Sequence, residues 1–105
     1  MKEKEYAKYE RLRQVLQARL ERANALAREA WHNAGVKAFV QAEAEFAAYP
    51  ADPPMEIERR IRARRAKRLA QTSEVLRRAL ARNRARYEQA HQKIWRAYQS
   101  ARGDA

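Results

Sequence analysis

Apolar residues recur along the chain at alternating steps of three and four, the heptad spacing of coiled-coil helices. In the second half this spacing runs through Ala66, Leu69, Ser73, Leu76, Leu80, Asn83, Tyr87, Ala90, Ile94, Ala97 and Ala101. The first half keeps mostly the same spacing through Tyr9, Leu12, Leu16, Leu20, Ala23, Ala27, Ala30, Ala34, Ala38, Ala42 and Phe46. The pattern predicts two long helices, each with an apolar stripe that packs against a partner helix.

A proline-rich segment from Tyr49 to Pro54 separates the two patterns. Prolines at this density cannot continue a helix, while Asp52 followed by Pro53 supplies an N-cap and a first-turn residue. We therefore predict helix one over about 2–48, a turn over 49–53 and helix two over about 53–101, in a single helical domain of residues 1–105. A helix break at Gly35 stays open, and it would fold a short middle helix back into a three-helix bundle.

Folding the chain at residue 51 places the two apolar stripes against each other, with small residues facing large ones along much of the seam. The opposing pairs are Tyr9 with Ile94, Leu16 with Tyr87, Ala23 with Leu80, Ala27 with Leu76, and Phe46 with Ile57. The predicted fold class is all-α, a long antiparallel helical hairpin with coiled-coil-like packing. In this register Asn83 faces Leu20, where it either fixes the register or lies half-exposed.

Around residues 34–49 helix one is apolar on more than one face, and one partner helix cannot cover both faces. We therefore expect a second copy to pack there, so that two hairpins form a homodimeric four-helix bundle. The predicted oligomer-interface residues are Val36, Phe39, Val40, Phe46 and Tyr49.

The positive charge of the chain indicates what kind of partner it binds. The 105 residues include 24 Lys and Arg against 13 Asp and Glu, and residues 59–68 read RRIRARRAKR. On a helical wheel, most basic residues of helix two fall within about 100° of arc that contains no carboxylate. This basic stripe, with Arg65 beside it, gives the predicted nucleic-acid-binding residues: Arg60, Arg64, Arg65, Lys67, Arg68, Arg78, Arg82, Arg86, Lys93 and Arg96.

The basic stripe predicts a non-enzymatic protein that binds the phosphate backbone of DNA or RNA by shape and charge. No zinc-finger, helix-turn-helix or RNA-binding-strand pattern occurs in the sequence, so little sequence specificity is expected. The alternative is a coiled-coil adaptor or assembly factor that docks a partner protein through its apolar end and an acidic surface through its basic face. A stripe of solvated arginines, whose stems cover apolar surface, is the plainest explanation of the same run.

Catalytic and metal-binding chemistry is sparse. The chain has two His and no Cys, so we predict no enzymatic activity, no cofactor and no metal site. Glu29 with His32, and Glu88 with His91, match the Glu-x-x-His unit of di-iron bundles, but the hairpin register separates the two units by about 20 Å. Whether they bind metal stays open. Without a membrane-length apolar run or a signal-peptide core, we expect no membrane contact and a cytoplasmic location.

Overall fold

The computed structural model of this protein describes residues 2–103, and both of its regular elements are α-helices. Helix α1 spans Lys2–Ala47 and helix α2 spans Met55–Arg102. The chain is therefore an all-α helical hairpin, as the heptad pattern predicts, and the helix bounds lie within about two residues of the predicted ones. No strand occurs within residues 2–103.

The first backbone hydrogen bonds of α2 show where this helix begins. The Pro54 carbonyl accepts from the amides of Ile57 at 2.9 Å and Glu58 at 3.0 Å. Because the N-cap is the residue whose carbonyl accepts the first helical bond, Pro54 holds this position, and the prediction of Asp52 as N-cap is wrong by two residues. Pro53 directly precedes Pro54, and the helical conformation is disfavoured for a residue before a proline, so the helix does not start at Pro53.

Helix α1 continues without a break through Gly35. The three-helix alternative is therefore not the fold of this chain. A Cβ added at Gly35 would meet only the Leu69 Cδ2 atom, at 3.9 Å, which is ordinary van der Waals contact. The glycine therefore neither ends the helix nor relieves a clash within the hairpin.

The hairpin is divided into two compact units, each an antiparallel pair of helical segments. Unit 1 combines Met1–Leu26 with Ala79–Ala105, and unit 2 is Ala27–Arg78. Contacts across the hairpin follow the predicted register to within about a residue. Gly35 lies opposite Leu69 in unit 2, for example, and Tyr6 lies against Tyr98 in unit 1.

Unit 1 is closed by aromatic side chains from both helices. Tyr9 is buried, and its ring centroid lies 5.1 Å from that of Tyr98 and 5.5 Å from that of Trp95. The Tyr9 hydroxyl is hydrogen-bonded to His91 Nε2 at 2.9 Å. Burial is the largest cause of a raised pKa at Tyr9, so the neutral phenol is favoured in this cluster.

Unit 2 packs in a slightly different register from the one predicted for α2. Ala66 and Ser73, which were expected in the seam, are exposed, while Arg65, Arg68 and Thr72 are half-buried. Leu69 is half-buried as predicted. The seam expected through Ala66 and Ser73 is therefore wrong for this stretch of α2.

Buried alanines explain this shift. α1 presents Ala38 and Ala42 to α2, and both are almost completely buried. Ile61 is 1% exposed, and among the described residues no other side chain of its size is buried so fully. Over such a narrow alanine surface the aliphatic stems of arginine can cover apolar atoms. The guanidinium of Arg68 is itself partly buried, and its Nη1 atom has no hydrogen-bond partner within the described residues. The hydrophobic pattern counts arginine as a polar residue, so it cannot predict that an arginine lies beside the seam.

Candidate nucleic-acid interface

All ten predicted nucleic-acid-binding residues lie on α2, but they belong to two different units. Unit 2 contains Arg60, Arg64, Arg65, Lys67, Arg68 and Arg78. Unit 1 contains Arg82, Arg86, Lys93 and Arg96. The two groups differ in what surrounds their charges.

In unit 2, carboxylates meet most guanidinium groups of the stripe. Glu45 lies 3.0 Å from Arg64 and 3.5 Å from Arg68. On α2 itself, Glu56 pairs with Arg60 at 2.7 Å and Glu74 pairs with Arg78 at 3.0 Å. The helical wheel of α2 could not show Glu45, which belongs to α1, and it placed Glu56 and Glu74 just outside the arc.

These carboxylates stay ionised well below neutral pH. The hydrogen bond from Arg64 is the largest cause of a lowered pKa at Glu45. For Glu74, chiefly the hydrogen bond from Arg77 lowers the pKa to about 2. At neutral pH both groups therefore carry full negative charge and offset part of the positive field of unit 2.

The remaining stripe residues of unit 2 have different surroundings. The Arg65 guanidinium lies over the Phe39 ring, 4.9 Å from its centroid. This cation–π contact fixes the side chain against α1. Lys67 is exposed and has no ion pair within the described residues.

In unit 1 the stripe residues have no carboxylate partner within the described part of the chain, residues 2–103. This holds for Arg82, Arg86, Lys93 and Arg96, all of which are exposed. An ion pair of α2 in this unit joins Arg84 to Glu88 at 3.0 Å, and Arg84 lies off the stripe. Unit 1 as a whole has thirteen basic and six acidic residues.

A groove in unit 1 adds a basic residue that the sequence analysis did not select. The groove has a volume of about 250 Å³, and Arg19 of α1 and Arg86 of α2 both line it. The remaining lining is largely apolar, and Asn83 contributes an amide. One signal for Arg19 was present in the sequence, because no acidic residue lies three or four positions away on either side.

Asn83 has a polar partner as well as the predicted apolar neighbour. Leu20 and Asn83 line the same groove, and the Asn83 Nδ2 atom donates a hydrogen bond to Asn24 Oδ1 at 3.2 Å. The amide is therefore matched by a second asparagine across the seam, which the predicted register did not identify. Pairing of this kind lowers the cost of a polar group at a half-buried position.

The predicted oligomer-interface residues divide into two groups. Val36, Phe39 and Val40 are exposed and line one groove of unit 2. Phe46 is half-buried, and Tyr49 lies in the turn beyond α1. Three of the five residues therefore share one continuous surface.

Neither Glu-x-x-His unit forms a cluster of ligands. Glu88 accepts a hydrogen bond from Arg84, and His91 is bonded to Tyr9. Within residues 2–103 no group of three or more His, Asp or Glu side chains is placed to hold a metal ion. Neither described helix is long and apolar enough to cross a membrane.

Comparison of the chain with family models, with curated proteins and with solved structures gives no match. The functional argument therefore rests on the residues and their geometry.

Proposed function

We propose that this protein binds the phosphate backbone of nucleic acid, with little sequence specificity and without catalysis, mainly through unit 1. The observation that carries the proposal is the set of exposed basic residues on α2 that have no carboxylate partner in the described residues: Arg82, Arg86, Lys93 and Arg96. Arg19 extends this surface to α1.

Spacing and charge support a polymeric ligand. Residues 82 and 96 are about 21 Å apart along a helix at 1.5 Å per residue, which matches about six base pairs of B-DNA at 3.4 Å each. Each phosphate that a free guanidinium or ammonium neutralises releases condensed counterions, and this release drives binding. An arginine already paired with glutamate must give up that contact first, so the stripe of unit 2 contributes less per residue.

The salt dependence of duplex binding tests the proposal. One variant replaces Arg82, Arg86, Lys93 and Arg96 with Gln, and a matched variant replaces Arg60, Arg64, Arg68 and Arg78 with Gln. Both lose four positive charges. We expect the unit 1 variant to reduce the slope of log K against log salt by up to about 3.6 on B-DNA, at about 0.9 per phosphate. The unit 2 variant should reduce it by clearly less.

Two results would contradict the proposal. Equal reductions would mean that binding follows net charge alone and that the difference between the units has no role. No binding by the unaltered protein at about 50 mM salt, where non-specific affinity is high, would remove nucleic acid as the partner. Circular dichroism of both variants controls for loss of helix.

A second function, as a coiled-coil adaptor, is favoured by the apolar groove of unit 2. Trp31, Val36, Phe39 and Val40 are each between 43% and 57% exposed there. A contiguous apolar patch of this kind is typical of a protein–protein interface. In this function the apolar groove docks a partner protein, and the basic face meets an acidic protein surface.

As part of the main proposal, the protein acts as a homodimer in the cytoplasm. A two-helix hairpin leaves much of its apolar surface in water, and a second copy that covers the groove of unit 2 would complete a four-helix bundle. The lack of cysteine fits a reducing compartment. A melting temperature that rises with protein concentration would support the dimer.

A further inference from the structure

We infer that the groove of unit 2 takes helix α1 of a second copy in antiparallel orientation, about a two-fold axis near Lys37. The inference rests on the homodimer of the proposed function and adds the surface, the register and the orientation. Three observations carry it: the apolar groove, the glycine in its wall and the polar side chains at its two ends.

The groove is a shallow apolar depression with a volume of about 500 Å³. α1 contributes Trp31, Val36, Phe39 and Val40 to its lining, and α2 contributes Leu69. Trp31 spans the two helices, since its Nε1 atom donates a hydrogen bond to Ser73 Oγ at 3.4 Å. A further helix packed over this depression would fill it with its side chains.

Gly35 also lines the groove and has no role in the packing of the hairpin itself. A glycine inside a helix costs about 1 kcal/mol relative to alanine. A Cβ at this position would make only an ordinary contact of 3.9 Å with Leu69, so the interior does not require glycine. What the missing Cβ provides is close access to the α1 backbone from outside, as small residues do at tight helix–helix crossings.

Two-fold symmetry makes the groove complementary to itself. In an isologous interface each contact occurs twice, because residue i meets residue j and residue j meets residue i. With the axis near Lys37, Gly35 meets the partner's Val40 and Val36 meets the partner's Phe39. The large side chain of one copy then lies over the smaller one of the other, which fills an apolar interface without voids.

The polar side chains at the ends of the groove favour the antiparallel orientation, because a histidine ring can donate a hydrogen bond to a carboxylate. His32 lines one end and Glu43 lines the other, and neither has an ion pair within the described residues. The same axis brings His32 of each copy to the partner's Glu43. A parallel pair would instead place the two Glu43 carboxylates together, which is unfavourable.

The basic stripe stays accessible in this arrangement. Glu45, which holds Arg64 and Arg68, lies about 140° around α1 from the middle of the groove face. The second copy therefore covers the apolar flank of unit 2 and leaves the arginine flank open. Dimerisation and nucleic-acid binding use different surfaces and can be measured separately.

Sedimentation equilibrium without nucleic acid gives the first test. We expect the unaltered protein to dimerise and Val36→Glu to raise the dimer dissociation constant by about 100-fold, because an unpaired carboxylate would be buried against the partner's Phe39. Leu26→Glu is the matched control. Leu26 is 58% exposed, lies in unit 1 and lines neither of the two grooves described above, so this variant should dimerise like the unaltered protein. A monomer up to millimolar concentration overturns the inference and the homodimer together.

Gly35→Ala gives the second test, with effects of opposite sign. Alanine is the better helix former, so the variant should melt at a higher temperature at low concentration, where the monomer dominates. The added methyl group should weaken the dimer by about tenfold by keeping the partner's Val40 away. A dimer that is as strong as before, or stronger, means that no helix approaches this backbone, and the inference fails while a homodimer elsewhere stands.

Charge exchange tests the orientation. His32→Glu should weaken the dimer because the introduced carboxylate would then meet the partner's Glu43, and Glu43→Lys should weaken it by removing the acidic partner of His32. The dimer dissociation constant of the double variant should return to within about threefold of that of the unaltered protein, since each end then joins a glutamate to a lysine. In a parallel dimer the double variant would place like charges together at both ends. Weaker association of the double variant than of either single one would therefore overturn the antiparallel arrangement.

Nucleic-acid binding serves as the separating measurement. Leu26→Glu and Val36→Glu should keep similar salt slopes per protomer, because neither residue belongs to the basic stripe. Loss of dimerisation with an unchanged slope supports both proposals. A normal dimer that does not bind nucleic acid supports the groove inference and removes the proposed ligand.

Discussion

The two units of the hairpin use the same helix to present positive charge, yet they differ in how available that charge is. The α2 segment of unit 2 includes the run RRIRARRAKR, but carboxylates hold Arg60, Arg64, Arg68 and Arg78. The segment in unit 1 has fewer basic residues, and those on its stripe have no such partner in the described residues. The comparison teaches that the density of basic residues does not measure their capacity to bind a polyanion. A guanidinium contributes most to phosphate binding where no carboxylate is already paired with it.

The units also differ in how they pack. Unit 2 closes over buried alanines and one fully buried Ile61. Unit 1 uses an aromatic cluster around Tyr9 and a pair of asparagines. Stability in unit 2 therefore depends on a few apolar side chains, whereas in unit 1 it is spread over Tyr9, Leu20 and their half-buried neighbours.

Removal of the side chain at the centre of unit 2 should have the largest effect on stability. We expect Ile61→Ala to lower the free energy of unfolding by about 2–5 kcal/mol, as large-to-small changes in a core do. Leu80→Ala in unit 1 should cost less, because Leu80 is only half-buried. Urea unfolding followed by circular dichroism measures both. Equal losses of unfolding free energy in the two variants would contradict the difference in packing between the units.

The asparagine pair of unit 1 gives the next largest effect. Asn83→Leu should lower the free energy of unfolding by about 1 kcal/mol, because Asn24 loses its hydrogen-bond partner. Replacing both asparagines with Leu should restore the free energy of unfolding to that of the unaltered protein or raise it further, since two apolar side chains then meet in the seam. Chemical unfolding of the two single variants and the double variant gives the coupling energy. If the effects are additive, the hydrogen bond between the two amides contributes nothing measurable.

Release of the paired arginines should make unit 2 behave more like unit 1. Glu45→Gln frees Arg64 and Arg68, so nucleic-acid affinity should rise and the salt slope should steepen by about 0.9 for each phosphate gained. Glu29→Gln is the control, because it changes net charge equally in the same unit and Glu29 has no ion pair within the described residues. Titration of a short duplex at several salt concentrations measures both. Identical results for the two variants would show that ion pairing does not limit unit 2.

The smallest effect concerns the hydroxyl group in the aromatic cluster. Tyr9→Phe should lower the free energy of unfolding by about 1 kcal/mol at neutral pH through loss of the bond to His91. Burial raises the pKa of Tyr9, so its contribution is complete below the usual phenol pKa of about 10 and is lost as pH rises through the folded value. The phenylalanine variant cannot ionise, and its deficit should therefore shrink in alkaline solution.

Tyr98→Phe is the control for the Tyr9 variant, since the Tyr98 hydroxyl has no hydrogen bond within the described residues. Urea titrations at about pH 7 and about pH 11, on either side of the usual phenol pKa, compare the two variants. An unchanged deficit of Tyr9→Phe at high pH would mean that ionisation of Tyr9 does not limit the folded state.

The sequence predicts the helices, the turn and the register well, because these depend on apolar spacing and proline. It fails for the buried face of α2 between residues 61 and 73, where Arg65, Arg68 and Thr72 are half-buried while Ala66 and Ser73 are exposed. It also fails for Asn24, whose pairing with Asn83 depends on the offset of the two helices. These details depend on how far each side chain extends from its helix, and the spacing of apolar residues along the sequence gives no information about this.

For the candidate interface, only some of the ion pairs can be predicted from the sequence. Glu56 and Glu74 lie four positions before Arg60 and Arg78, so those ion pairs follow from helical spacing. Glu45 reaches Arg64 and Arg68 from the other helix, and only the folded hairpin shows this pairing. The free residues of unit 1 could have been identified, because Arg82, for example, has no acid three or four positions away.

The placement of tryptophan gives each unit its own spectroscopic reporter. The chain has two tryptophans, with Trp31 in the groove of unit 2 and Trp95 in the aromatic cluster of unit 1. In a Trp95→Phe protein, tryptophan fluorescence therefore comes from unit 2 alone. In a Trp31→Phe protein, it comes from unit 1 alone. Burial of the groove should shift the first emission to shorter wavelength, while opening of the cluster should shift the second to longer wavelength. One fluorescence titration could thus distinguish association in one half of the molecule from unfolding in the other.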